Sequence, residues 1–294
     1  MKKYFIAFIS VFFLISAFAQ KKKITSEELK PSDLSGLEFR SVGPAFMSGR
    51  IADIAINPEN ENEWYVAVGS GGVWKTVNSG TTWKPIADNE SFYSTGCITI
   101  DPHNTSKVWL GTGENVGGRH VGIGHGVYVS ENGGKSWKSM GLKSSEHISK
   151  IIVSPKDPNI VFVASQGPLW SSGGDRGLFK TNDGGKTWKN VLSVNEWTGV
   201  TDIVIDQLNP DILYAATWQR HRNVASYMGG GPGTSIYKST DHGKNWIEIK
   251  DGLPNSNLGK IGLAISPFDS TILYAAVETD RRNGAVYKLS LIHI

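Results

Sequence analysis

The strongest constraint in this chain is an eight-residue pattern that occurs four times. The copies are Thr76-Val77-Asn78-Ser79-Gly80-Thr81-Thr82-Trp83, Ser130-Glu131-Asn132-Gly133-Gly134-Lys135-Ser136-Trp137, Thr181-Asn182-Asp183-Gly184-Gly185-Lys186-Thr187-Trp188 and Ser239-Thr240-Asp241-His242-Gly243-Lys244-Asn245-Trp246. The consensus is [ST]-x-[DN]-x-G-x-[TSN]-W, and its glycines lie 54, 51 and 58 residues apart. A period of this size is the signature of a repeat architecture. Within each copy the residues have structural chemistry. Asn78, Asn132, Asp183 and Asp241 can accept hydrogen bonds from turn N–H groups. Gly80, Gly134, Gly185 and Gly243 can supply the positive φ of a tight reversal. Trp83, Trp137, Trp188 and Trp246 offer a large apolar face beside the turn.

Each copy follows a short aromatic strand: Val73–Lys75, Val127–Val129, Leu178–Lys180 and Ile236–Lys238. Two more strands precede it. The first is an apolar run ending at a Pro or Asp turn: Ile51–Ile56, Cys97–Ile100, Ile151–Val153, Ile203–Ile205 and Ile261–Ile265. The second is aromatic or β-branched: Trp64–Val68, Val108–Leu110, Ile160–Ala164, Ile212–Ala216 and Ile272–Val277. Each unit therefore reads strand A, turn, strand B, loop, strand C, repeat turn, strand D. Four antiparallel strands per unit of about 50 residues predict an all-β fold of propeller blades, about four complete and part of a fifth. Composition agrees, with 34 Gly and 10 Trp in 294 residues, and the single Cys excludes an internal disulfide framework. Cys97 falls in strand A of the second unit and reads as a buried core thiol.

Residues 1–19 have a different character. Lys2 and Lys3 precede an apolar run from Tyr4 to Phe18, and Ala17-Phe18-Ala19 is a small-x-small cleavage pattern. A signal peptide cleaved after Ala19 is expected, with a secreted, periplasmic or cell-surface product. Removing those residues lowers the net charge from +3 to +1. The remaining chain has no charge excess for nucleic acid and no apolar run long enough to span a bilayer.

The repeated turn resembles the Asp box, and the chain resembles the Asp-box (BNR) repeat β-propellers over residues 37–288. The wording of its repeats is most similar to bacterial proteins related to the sortilin N-terminal domain, a group often labelled glycosyl hydrolases. Two functions follow from the resemblance. The first is a module that binds peptide, protein or glycan, as sortilin-type domains do. The alternative is a glycoside hydrolase, xyloglucanase-like or other, with partner residues in a missing C-terminal part. The resemblance to xyloglucan-degrading enzymes places a catalytic Asp just before the Gly-Gly of the first blade's B–C loop, where this chain has Gly69 before Ser70-Gly71-Gly72. The resemblance to sialidases implies a Phe-Arg-Ile-Pro motif, of which Phe39-Arg40-Ser41-Val42 keeps the first two residues.

Topology places the B–C and D–A loops at one end of the blades and the Asp boxes at the other. The B–C loops are Gly69–Gly72, Gly111–Gly126, Gln166–Gly177, Thr217–Ser235 and Glu278–Gly284. Long loops at one end are where a ligand face is expected. The candidate ligand-binding residues are Trp170, Arg176, Trp218, Arg220, Tyr227 and His120. Glu114 and Glu196 are the candidate catalytic carboxylates, since glycoside hydrolysis needs a carboxylate pair. His120, His125 and Glu114 match no metal-ligand spacing, so no metal is expected. Gly229–Gly233 lacks the Lys-Ser/Thr of a phosphate loop, and no cofactor is expected.

The domain organisation expected is a signal peptide at 1–19, a linker at 20–36, a partial propeller at 37–288 and a non-native tail at 289–294. The tail Leu289–Ile294 replaces the fifth Asp box and matches the translation of a transposon end used in sequencing libraries. Leu37–Val42 is the expected ring-closing strand.

Overall fold

The computed structural model describes residues 30–34, 36, 50–269, 271–279 and 284–290. The expected signal peptide, the expected ring-closing strand at 37–42 and residues 291–294 lie outside the described residues. The chain divides into two units, Met1–Phe46 and Met47–Ile294. The described part of the first is a short 3-10 turn, Pro31–Leu34, with Asp33 accepting from the Lys30 N–H at 2.9 Å.

The second unit is a series of antiparallel sheets. Blade 1 contains β1 (Ile51–Asn57), β2 (Asn60–Val68), β3 (Gly72–Thr76) and β4 (Lys84–Pro85). Blade 2 contains β5 (Thr95–Asp101), β6 (Asn104–Thr112), β7 (Val127–Ser130) and β8 (Lys138–Ser139). Blade 3 contains β9 (Ile148–Val153), β10 (Val161–Ser165), β11 (Gly177–Thr181) and β12 (Lys189–Leu192). Blade 4 pairs β13 (Thr198–Ile205), β14 (Leu213–Gln219), β17 (Ile236–Ser239) and β18 (Ile247–Ile249). Between its middle strands it carries an extra hairpin, β15 (His221–Arg222) with β16 (Tyr227–Met228). The sequence pattern reads that stretch as loop, because two-residue strands have no visible period. Blade 5 shows three strands, β19 (Ile261–Ile265), β20 (Ile272–Val277) and β21 (Ala285–Ser290). Residues 289 and 290 continue the pairing of β21 with β20. These are the propeller blades that the repeats predict.

The first strand of each blade runs beside the first strand of the next. Four of these inner strands carry a bulge near the same point, at Ala52, Gly96, Ser149 and Thr201. Just after it stand Asp53, Cys97, Lys150 and Asp202, each opposite a small residue: Ala67, Gly111, Ala164 and Ala216. The Asp53 carboxylate accepts from the Ile98 N–H at 3.1 Å, and Asp202 from the Leu263 N–H at 2.8 Å. Each thereby reaches the inner strand of the next blade. The Thr99 hydroxyl donates to the Ile151 carbonyl and the Ser149 hydroxyl to the Val200 carbonyl, closing the other two junctions.

The apolar core lies between blades. Ile98, Ile151 and Ile203 stand at the same register position and are buried against the preceding blade. Their equivalent in blade 1, Ile54, is 49 % exposed.

All four Asp boxes close alike. In blade 2 the buried Ser130 hydroxyl donates to Asn132 Oδ1 at 2.9 Å and accepts the Gly134 N–H at 2.8 Å. Asn132 Oδ1 also accepts the Ser136 N–H at 3.0 Å. Gly133 at φ 68° and Gly134 at φ 87° are both left-handed, the region that favours glycine. The Gly133 N–H ties the box to the A–B hairpin through the Ser106 carbonyl of β6 at 2.7 Å. Two box tryptophans bond the preceding blade: Trp137 donates to the Ile86 carbonyl at 3.1 Å and Trp188 to the Met140 carbonyl at 2.7 Å. Trp83 in blade 1 instead meets Trp64 of its own blade edge-on, with ring centroids 6.4 Å apart.

Position-equivalent isoleucines should therefore differ in cost. Ile151→Ala is expected to lose about 2–5 kcal/mol and Ile54→Ala less than about 1 kcal/mol, read from urea unfolding midpoints. Equal losses would contradict the blade-to-blade account of the core.

Candidate functional site

The B–C loops of blades 2, 3 and 4 are joined into one layer by arginines that bond backbone carbonyls. Arg176 is buried and uses all five of its N–H donors. Its Nε donates to Gly173, one terminal nitrogen to Gln166 and Trp197, and the other to Pro168 and Ser171, at 2.5–3.2 Å. The loop thus folds around the guanidinium. Arg220 is fully buried and crosses between blades. It donates to the Val116 carbonyl of the blade 2 loop at 3.1 Å and to the Gly167 carbonyl of the blade 3 loop at 3.2 Å. Arg222 reaches the Gly117 carbonyl at 3.4 Å. Among the described residues the buried Nε groups of Arg220 and Arg222 have no hydrogen-bond partner.

Aromatic rings hold these cations. Arg220 lies 5.1 Å from the Trp218 ring centroid, Lys260 5.5 Å from the same ring, and Arg222 4.5 Å from Tyr227. Trp218 is buried and donates to the Gly229 carbonyl at 2.8 Å. Gly117 makes this possible, because a Cβ there would lie 2.0 Å from the Tyr227 hydroxyl. Burial holds the Arg176 pKa down to about 10 and the Arg220 pKa down to about 9.

Two more buried groups support the layer. His147 Nδ1 donates to the Glu114 carbonyl at 3.0 Å. Burial, with Arg220 and Arg176 nearby, lowers its pKa to about 3, so the ring is neutral at pH 7. The Glu114 carboxylate is buried, ion-paired with Arg50, and accepts from the Ser70 hydroxyl at 3.2 Å and the Gly122 N–H at 2.8 Å. It occupies the space beside Gly69, where a Cβ would lie 2.5 Å from Glu114 Oε1. The glycine is therefore needed for the approach of Glu114.

The structure thus brings Arg176, Trp218 and Arg220 together beneath the loop surface. Trp170 is 47 % exposed and Tyr227 38 % exposed on that surface. The Leu169 carbonyl next to Trp170 accepts from the Arg222 N–H at 2.9 Å, which links the Trp170 loop to the Tyr227 hairpin. His120 and Glu196 are exposed, and Glu114 is buried. Among the described residues no cluster of three or more His, Cys, Asp or Glu side chains could hold a metal.

Sequence reading missed the residues on the axis. A cavity of about 230 Å³ is lined by residues of all five inner strands, among them Asp53, Lys150, Thr201, Asp202 and Gly262, with Asn115 and Lys260 beside them. Lys260 Nζ donates to the Asn115 carbonyl at 2.6 Å and to its Oδ1 at 2.7 Å. Gln166 donates to the same Oδ1 and to Thr201 Oγ1 at 3.1 Å, while its own Oε1 is buried and unpartnered. One signal was present in the sequence. Asp53, Lys150 and Asp202 are charged residues at one repeat position inside otherwise apolar strands.

The depressed His147 pKa has a stability consequence. Between about pH 6.5 and 3 the unfolded chain binds a proton at this residue that the folded chain does not. Stability is therefore complete above pH 6.5 and falls with acidification, by up to about 1.4 kcal/mol per pH unit. Urea unfolding between pH 6.5 and 4.5 should show this slope, and His147→Gln should flatten it. An unchanged slope in the variant would exclude His147 as its source. Arg176→Lys, which keeps the charge but offers three donors for five carbonyls, is expected to cost about 2–5 kcal/mol in the same assay.

Comparison with known proteins is consistent with this architecture. A probable oligoxyloglucan-reducing end-specific xyloglucanase of Neosartorya fischeri is 24% identical over 232 residues, covering 72% of this chain and 25% of the relative. A xyloglucanase of Acetivibrio thermocellus is 26% identical over 228 residues, covering 67% of this chain and 25% of the relative. The chain thus spans about a quarter of the length of these curated relatives. The crystal structure of an ancestral GH74 enzyme superposes with a TM-score of 0.62 at 24% identity, covering 82% of this chain and 30% of that one, which shows a shared fold. Among the described residues no helix is long and apolar enough to cross a membrane. The profile of the Sortilin-Vps10 family (sortilin, neurotensin receptor 3) matches residues 125–293, more than half of the chain. The chain belongs to the Sortilin-Vps10 family.

Proposed function

We propose that this chain is the propeller portion of a secreted polysaccharide-acting protein of glycoside hydrolase type, and that the loop face of blades 2–4 is its glycan-binding surface. The observation that carries the reading is the pair of exposed rings, Trp170 and Tyr227, mounted on a buried arginine framework. A sugar ring stacks on an aromatic face, and a rigid mounting limits the entropy lost on binding. The relatives named xyloglucanases make a glucan chain the first ligand class to test.

In this reading Glu114 supports the loops, because Arg50, Ser70 and Gly122 engage its carboxylate. We take Glu196, which is exposed, as the candidate carboxylate for meeting a bound sugar. Hydrolysis by the whole protein then draws on a partner carboxylate outside the described residues.

A second reading, binding without turnover, is favoured by Gly69. The resemblance aligns this residue with a catalytic Asp, and Glu114 fills the space that a side chain there would need.

The test is titration of the full chain with xyloglucan oligosaccharides, with reducing-sugar release measured in parallel. Trp170→Ala and Tyr227→Ala should each weaken binding by about tenfold, the worth of a contact of about 1.4 kcal/mol. Binding unaffected by either substitution would refute this surface. Release of sugar that Glu196→Gln abolishes would refute the non-catalytic reading. Glu114→Gln is expected to lower the melting temperature while leaving glycan affinity within twofold.

A further inference from the structure

The axial cavity contains a charge arrangement that loop support does not explain. Asp53, Asp202, Lys150 and Lys260 all line it. Both carboxylates are committed to backbone donors. Asp53 accepts from the Ile54 N–H at 2.9 Å and the Ile98 N–H at 3.1 Å. Asp202 accepts from the Ile203 N–H at 2.9 Å and the Leu263 N–H at 2.8 Å. The ammonium groups are not matched in this way. Among the described residues neither Lys150 nor Lys260 forms an ion pair. Lys260 bonds only the neutral oxygens of Asn115, which leaves one of its three protons unused.

Behind Lys260 the fully buried Arg220 has neutral carbonyl acceptors only. Burial, and then the Arg220 charge, pull the Lys260 pKa down to about 8 against the opposing charges of Asp202 and Glu278. Burial also raises the Asp202 pKa. Arg220 is a buried cation, costly unless an anion compensates it. Groups suited to hydroxyls, Thr201 and the Asn115 amide, also line the cavity. A volume of about 230 Å³ is enough for one sugar ring.

We propose that this cavity is a subsite for a single carboxylate-bearing sugar unit, a uronate, whose carboxylate lies between Lys150 and Lys260 and whose hydroxyls meet Thr201 and Asn115. The inference rests on the glycan reading of the loop face and deepens it, since it assigns the axis to an acidic unit.

The test is calorimetric titration of the full chain with D-glucuronate, D-galacturonate, D-glucose and acetate. At least one uronate should bind ten or more times tighter than glucose and than acetate. That affinity should fall between 0.05 and about 0.5 M salt, as an ion-paired ligand requires. Lys150→Gln should reduce it tenfold or more, with the circular dichroism spectrum and melting temperature unchanged. Equal binding of glucose overturns the charge assignment, and equal binding of acetate overturns the sugar. An unaffected Lys150→Gln variant overturns the site. Xyloglucan oligosaccharides serve as the control. If they bind while uronates do not, this proposal falls and the loop-face reading stands. If uronates bind and xyloglucan does not, the neutral-glucan assignment falls instead.

Discussion

An inner strand of a propeller blade has a neighbouring strand on one side only. Its other edge presents backbone donors and acceptors to the axis, where no ladder can meet them. In this chain side chains of the adjacent blade meet them. Asp53 and Asp202 supply acceptors to Ile98 and Leu263, while Thr99 and Ser149 supply donors to Ile151 and Val200. Each contact crosses a blade junction, so the groups that satisfy the edge also fix the angle between sheets. The apolar contacts depend on that angle. Ile98, Ile151 and Ile203 are buried only because the preceding blade stands close enough to cover them, as the exposure of Ile54 in blade 1 makes plain.

The fold was legible because its determinants are local and repeated. The Asp box is closed by atoms within one eight-residue stretch, so its residues appear in order along the chain. In blades 2 and 3 the Trp at its end then bonds the preceding blade through Ile86 and Met140. The candidate site was less legible, because it is assembled across distances of fifty to a hundred and fifty residues. Trp218 and Arg220 look like exposed loop residues in the sequence. What buries them is the approach of Val116, Gly117 and Gly167 from two other blades. Lys260 sits at the start of an apolar strand with nothing local to distinguish it. It acquires a role only when Asn115 arrives from three blades earlier.

The two ends of the blades solve the same problem differently. At the Asp-box end, each turn satisfies itself and anchors to its own A–B hairpin, as Gly133 does to Ser106. At the loop end, carbonyls are gathered onto a few long cationic side chains. Arg176 gathers its own loop and the Trp197 carbonyl with all five donors, whereas Arg220 joins three segments with two of its five donors. The first arrangement favours rigidity. The second leaves residual charge near the axis, and charge is what discriminates between ligands.

This division explains how the loop end can vary without cost to the frame. Blade 4 holds the long segment between β14 and β17, which adds the hairpin of Tyr227 and Met228. Its inner register is nevertheless that of blades 1 to 3, with a bulge at Thr201 and Asp202 opposite Ala216. The insertion left the strands unaltered because its own polar groups are met by Trp218, Gln219 and Thr217 at its base. A loop that closes on itself in this way can change its rim residues, such as Tyr227, independently of the core. A substitution at Asp202 cannot be isolated in the same manner, since it serves the next blade and the axial cavity at once. Ligand preference is therefore free to change at the rim, while the axial residues are held by the structure they support.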